Sequence, residues 1–196
     1  MKRQQRIERK TSETAILLDL KLDGSGKADL KTGLPFFEHM LALWCQHGFF
    51  DLNIKSEGDL EVDAHHLVED IGLCLGKAFY GALGEKEGIN RYGFSVTPMD
   101  EALVTAAVDL SGRPWLHYEL PSPPGMVGTM DQEVFREFWQ AFVNEGRFNL
   151  HLILNHGANK HHIVEASFKA AARALNEASS ILDGLEGPLS TKGKLE

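Results

Sequence analysis

A chain of 196 residues is long enough for one domain with a sizeable core, or for two small halves packed as one. Acids outnumber bases 28 to 20, and the net charge of −8 argues against nucleic acid or an anionic membrane surface as partner. No run approaches the roughly 18 apolar residues of a membrane span, the charged start "MKRQQRIERK" lacks a signal peptide's apolar segment, and Cys45 and Cys74 fit no disulfide framework, so the cytoplasm is the expected compartment.

In chain order, "ETAILLDLKLDGSG" (13–26) predicts a strand ending in a glycine-containing turn, since Ile16, Leu18, Leu20 and Leu22 alternate as on a half-buried strand. "HMLALWCQHGFFDLNI" (39–54) predicts a helix followed by a short strand. "DAHHLVED" (63–70) opens a second helix, whose apolar stripe is Leu67, Ile71 and Leu75. A join follows at 84–90, and then the order recurs. "EALVTAAVDLSGRP" (101–114) is again a strand and turn, "EFWQAFVNEGRFNLHL" (137–152) again helix then strand, and "NKHHIVEA" (159–166) again opens a helix. That last helix runs into "ASFKAAARAL", rich in strong helix formers, and the tail "GPLSTKGKLE" reads as irregular.

The recurrence is an internal repeat. His39 lies over Glu137 at an offset of 98, and Gly48, Phe50 and Leu52 fall on Gly146, Phe148 and Leu150. At the second helix the offset drops to 96, His65 falling on His161, because the second strand-to-helix loop is two residues shorter. The pattern gives strand–strand–helix–strand–helix twice, dividing the chain into half-repeats 1–88 and 89–196 of one compact unit.

Both copies carry HH-x-V-E, at 65–69 and 161–165. Successive helical residues are rotated by about 100°, so His65 and Glu69 share a face, as do His161 and Glu165. His66 and His162 point elsewhere. If the halves are related by a pseudo-twofold axis, each odd histidine can complete the other half's pair, giving two sites of imidazole and carboxylate ligands. That donor set suits Mn, Fe, Co or Zn better than Ca or Mg. A single HH-x-x-E is more often an ordinary helix-surface pattern, but a duplicated fold has no structural need to duplicate the ligands. His39 alone would be a core or capping histidine, and His117, His151 and His156 have no repeat logic and are read as structural.

Arg91, Arg113, Lys169 and the "STKG" at 190–193 are phosphate-binding candidates by type, offering guanidinium forks, ammonium charges and a hydroxyl. Singly, each is an ordinary solvated charge, and STKG lacks the glycine spacing of a P-loop.

"ERKTSET" (8–14), "TGLPFFEHML" (32–41), "DAHHLVEDIG" (63–72), "DEAL" (100–103), "HHIVEASFKAAARAL" (161–175) and "LSTKG" (189–193), in that order, resemble the imidazoleglycerol-phosphate dehydratases of histidine biosynthesis. The resemblance runs from about Arg6 to Gly193. It implies an α+β fold of two similar halves, each a four-stranded sheet with two helices, the helices packed between the sheets. It also implies a homo-oligomer, a 24-mer built from trimers, with two manganese ions per active site at sites between subunits. One metal would take His39, His66, His161 and Glu165; the other would take His65, Glu69 and His162, with position 137 as its fourth ligand. Substrate phosphate would meet Arg91, Arg113, Lys169, Ser190 and Lys192, and His47 matches a further substrate position. Glu13 would be the proton shuttle, although taken alone it is a surface glutamate at a strand start. Two metals on the imidazole nitrogens would stabilise an imidazolate, making the ring the electron sink while hydroxide leaves.

The chain departs from the family pattern in three places. Ala42 and Leu43 stand where a polar Asp-Gln pair is usual, Glu137 where many members have histidine, and Glu38 where an aspartate is usual. Two rival readings remain beside the dehydratase. A dinuclear phosphoesterase would use the metals and phosphate ligands but leave an imidazole-shaped gap unexplained. A metal-storage shell has no use for Arg91, Arg113 and Lys169.

Overall fold

The computed structural model describes residues 2–121, 124–193 and 195. Two four-stranded sheets, each formed within one half, enclose four helices. The first half runs β1 (Gln4–Lys10), β2 (Thr14–Lys21), β3 (Ala28–Lys31), α1 (Pro35–Gly48), β4 (Asp51–Gly58) and α2 (His65–Leu83). The second runs β5 (Tyr92–Met99), β6 (Ala102–Asp109), β7 (Trp115–Glu119), a small hairpin of β8 (Met126–Val127) and β9 (Met130–Asp131), α3 (Glu133–Gly146), β10 (Asn149–His156) and α4 (Lys160–Ser179). The strand orders β1-β2-β4-β3 and β5-β6-β10-β7 are the same arrangement twice.

Registers agree residue by residue as far as Leu154, after which β10 shifts against β6 while β4 runs on unshifted against β2. Leu20 pairs with Leu52 as Val108 pairs with Leu150, and Ala28 pairs with Leu52 as Leu116 pairs with Leu150. Each sheet is thus antiparallel except for its last strand, β3 or β7, which lies parallel to β4 or β10 and reaches it through a helix, as parallel neighbours require. The residue pattern anticipates two strands before each first helix; in the structure three strands of each four-stranded sheet precede it, and the second half adds the β8–β9 hairpin. The sequence gives β3 and β7 little to show: they have four and five residues, and their positions are mostly exposed or half-buried.

Alternation fixes which face is covered. Ile16, Leu18 and Leu20 of β2 and Val104, Ala106 and Val108 of β6 point inward, with the opposite faces toward solvent. The helices cross between the halves, with α1 packed on α4 and α2 on α3. Trp44 and Phe142, equivalent by the repeat, meet edge-to-face at 6.0 Å, so the pseudo-twofold axis passes between them. Close approach of α2 to α3 rests on two glycines: a Cβ at Gly72 would stand 2.7 Å from the Phe138 carbonyl oxygen, and one at Gly76 2.6 Å from that of Phe142. Both cysteines are buried and unpaired, and no described helix is long and apolar enough to cross a membrane. After Ser179 no helix or named strand forms among the described residues.

Candidate active site

Helix α4 begins with Asn159, whose side chain accepts from the His161 amide at 2.9 Å. That cap starts the helix so that His161 and Glu165 rise on one face toward α1. There His39 joins them, and the ligand atoms of His39, His161 and Glu165 all lie within 4.8 Å of one another. Glu165 Oε2 is 3.1 Å from His161 Nε2 and 3.6 Å from His39 Nε2, while its Oε1 accepts from Lys169 Nζ at 2.6 Å. Burial pushes the Glu165 carboxyl up, but the hydrogen bond and charge of Lys169, with His161 and His39, outweigh it and hold the group below its ordinary pKa. A buried carboxylate beside two imidazoles is the chemistry of a transition-metal site.

The first half repeats the pair in the open. His65 Nε2 and Glu69 Oε2 lie 3.7 Å apart, both side chains over 40% exposed. Among the described residues, Glu137 forms one ion pair, to Arg136 at 3.3 Å, and none with His65.

The odd histidines are held elsewhere. His66 Nδ1 meets Asp59 at 2.9 Å and Glu13 at 4.0 Å. His162 Nδ1 meets Glu101 Oε2 at 2.6 Å, and its Nε2 lies 3.8 Å from Asp100. Hydrogen bonds to these carboxylates raise the pKa of both imidazoles. Glu101, held by His162 and then by the Asn159 amide, falls to about 2. Neither odd histidine belongs to the cluster of His39, His161 and Glu165. Sequence reasoning gave no role to Asp59, Asp100 or Glu101. An offset of 88, which lays "EALVTAAVDL" over "ETAILLDLKL", could have flagged Glu101 as the counterpart of Glu13.

A separate cavity of about 670 Å³ gathers Arg91, Arg113, Ser190 and Lys192. Arg91 is committed: its fork grips Asp109 at 2.7 and 3.2 Å, and Nη1 donates to the Leu189 carbonyl at 2.9 Å, tying the tail to β5. Arg113 and Lys192 have no ion pair among the described residues, and both are available to an anion. Lys169 lines no part of this cavity and serves Glu165 instead. His47, in the last turn of α1, is held below its ordinary pKa by burial and then by the charges of Lys169 and Arg173. Glu38 has a local task, its Oε1 accepting from the Thr32 amide and hydroxyl and the Gly33 amide at the start of α1. Leu43 packs against the core and Ala42 is half-buried.

The profile of one family, imidazoleglycerol-phosphate dehydratase, matches residues 32–175. The chain belongs to that family. Relatives of the same name from Citrifermentans bemidjiense and Shouchella clausii are each 54% identical over 195 residues, covering 100% of both chains. The crystal structure of imidazoleglycerol-phosphate dehydratase from Staphylococcus aureus superposes with a TM-score of 0.83 at 35% identity, covering 91% of this chain and 99% of that one. The Pyrococcus furiosus structure gives 0.83 at 33%, covering 96% and 100%. The α+β duplication is therefore the imidazoleglycerol-phosphate dehydratase fold, and the chain is a hydro-lyase of histidine biosynthesis acting on a small phosphorylated substrate.

Proposed function

We propose that this dehydratase converts D-erythro-imidazole glycerol phosphate to imidazole acetol phosphate with two manganese ions per active site. The observation that carries the reading is the convergence of His39, His161 and Glu165, together with the open pair His65–Glu69 at the repeat-equivalent place. Two cations on the ring nitrogens would draw electron density from the imidazole, which matters because the proton to be lost lies on a carbon with no neighbouring carbonyl. Arg113 and Lys192 bind the phosphate, Arg91 and Ser190 shape its cavity, and Lys169 and His47 stand beside the buried carboxylate. Glu13, more than half exposed and 4.0 Å from His66, moves the proton between the carbon and the departing hydroxyl.

One chain supplies only part of each ligand set, because His66 and His162 face away from the converged cluster. Completion by neighbouring subunits follows, which supports assembly into trimers and a 24-subunit shell, in the cytoplasm where the pathway's intermediates are made. Position 137, repeat-equivalent to His39, supplies an oxygen ligand to the site of His65, Glu69 and His162.

The test is direct. Purified protein with Mn²⁺ and imidazole glycerol phosphate should yield the enolisable ketone, and metal analysis should find two ions per chain. Full turnover by thoroughly chelated enzyme would sink the metal reading. Phosphate release in place of the ketone would favour the phosphoesterase.

A further inference from the structure

Resting on the metal-site reading above, we infer that Glu101 and Asp59 are positioning residues for the second histidine of each HH-x-V-E copy, and that Asp59 thereby leaves Glu13 free for substrate. An acceptor at Nδ1 places the imidazole proton there and leaves the Nε2 lone pair for a cation, the usual arrangement behind metal-bound histidines. The structure has that arrangement twice, built from different parts. In the second half, Glu101 Oε2 takes His162 Nδ1 at 2.6 Å, and Glu101 Oε1 is anchored by the Asn159 and Ala158 amides at 2.8 and 3.3 Å. Glu101 is thus fixed to the same turn that starts α4.

In the first half, the residue equivalent to Glu101 is Glu13 (101 − 88 = 13). It does not do the same work. Asp59 stands 2.9 Å from His66 Nδ1, whereas Glu13 is 4.0 Å away and accepts no hydrogen bond among the described residues. The cause is loop length. Six residues (59–64) separate β4 from His65, but four (157–160) separate β10 from His161, and those four, Gly-Ala-Asn-Lys, contain no acid. The longer loop brings its own carboxylate to the histidine. The shorter one cannot, so the strand-start glutamate is drawn in. Two repeat-equivalent glutamates therefore diverge: Glu101 holds a ligand, and Glu13 keeps both oxygens available.

The experiment uses the full-length assembled protein and two readouts. Long-range ¹⁵N–¹H correlation on metal-free protein, above the imidazole titration range, reports which nitrogen of His162 and His66 carries the proton. Titration with Mn²⁺, followed by the signal of the free ion, reports affinity. In Glu101→Ala, His162 should lose its Nδ1–H preference, and one class of manganese sites should weaken by about 10–100-fold while the other is unchanged. Glu101→Gln keeps an acceptor oxygen and should recover most of both. In Asp59→Ala, Glu13 should take over His66, so manganese affinity holds while turnover falls; adding Glu13→Gln should then weaken binding as well. Unchanged tautomer and manganese affinity in Glu101→Ala overturns the assignment even if the dehydratase is fully active. Wild-type protein that binds no manganese overturns the metal-site reading and this one with it, a result distinguishable because it precedes any substitution.

Discussion

Glu165, in the second half, is buried and bonded to both Lys169 and His161. Its counterpart Glu69 stands half exposed with His65 at 3.7 Å, and the residue in the place of Lys169 is Leu73 (169 − 96 = 73). Position 39 is a histidine where position 137 is a glutamate. The repeat has kept backbone placement, since helix pairings agree and registers agree up to the irregularity after Leu154 of β10, while the charges around each pair have diverged. Geometry that brings an imidazole and a carboxylate together needs only a helix and an i,i+4 spacing. What each pair then does depends on neighbours that duplication left free to change.

Glu13 and Glu101 sharpen this contrast most. Glu13→Gln keeps the shape but cannot carry the proton, and should lower kcat by about 10²–10⁴-fold with substrate affinity and metal content preserved. Calorimetry of substrate binding beside a rate assay checks it. A variant that keeps most of the wild-type rate removes Glu13 from the chemistry.

Positions 39 and 137 come next. Gly72 lies against Phe138 and Gly76 against Phe142, so α2 and α3 advance in the same direction. Carrying that register back one turn sets Glu69 level with 135–138, as Glu165 is level with His39. Glu137→Ala should therefore weaken one of two manganese sites by at least about 10-fold, and Glu137→His should keep both ions with a shift toward softer metals. Binding of two manganese ions by Glu137→Ala with wild-type affinity would show that the carboxylate of Glu137 is no ligand.

Much of this was legible from residues. The two copies of HH-x-V-E, the shared helix face and the order of the main elements follow from spacing, which helix and strand periods translate into direction. The third strand of each half did not, because β3 and β7 are short and owe their pairing to β4 and β10 rather than to any pattern of their own. Asp59 and Glu101 also escaped, since a carboxylate reaching a histidine 7 or 61 residues away depends on how a loop closes. The commitment of Lys169 to Glu165, rather than to the cavity of Arg113 and Lys192, likewise rests on three-dimensional packing.

The helix crossings offer a stability test of the same comparison. At the α2–α3 contact a Gly76 Cβ would meet Phe142 O at 2.6 Å and Glu145 Cβ at 2.8 Å. The residue equivalent to Gly76 in α4 is Ala172, which the α1–α4 contact accommodates. Gly76→Ala gains roughly 1 kcal/mol of helix propensity, yet overpacking should make it a net loss of about 1–3 kcal/mol. Ala172→Gly should lose the propensity term and the burial of one core methyl, together about 2 kcal/mol. Denaturant melts of both decide it; a stabilised Gly76→Ala would mean the α2–α3 pair can separate at little cost.

The smallest expected effect lies at the start of the central strands, where Asp51 opens β4 and its equivalent Asn149 opens β10. Each holds the turn leaving the neighbouring strand, by opposite means. Asp51 Oδ1 accepts from the Ser25 amide at 2.7 Å and the Lys27 amide at 3.1 Å, with Lys21 at 3.5 Å from Oδ2. Asn149 Nδ2 instead donates to the Arg113 carbonyl at 2.6 Å, steadying a residue of the cavity that Arg113 shares with Lys192. The Ser25 amide, then the Lys27 amide and Lys21, hold the Asp51 carboxyl below its ordinary pKa against the opposing effect of burial. A folded-state pKa below the unfolded value of about 3.9 means the contribution is present above that value and is lost as pH falls through the folded one. Asp51→Ala should cost about 1 kcal/mol near neutrality, and its gap from the wild type should close below about pH 4. Asn149→Ala should cost a similar amount with no such closure, since an amide does not titrate there. The measurement is a pair of denaturation series from pH 7 to 3. A constant Asp51 gap across that range would show that the turn is held by the backbone and not by the carboxylate charge.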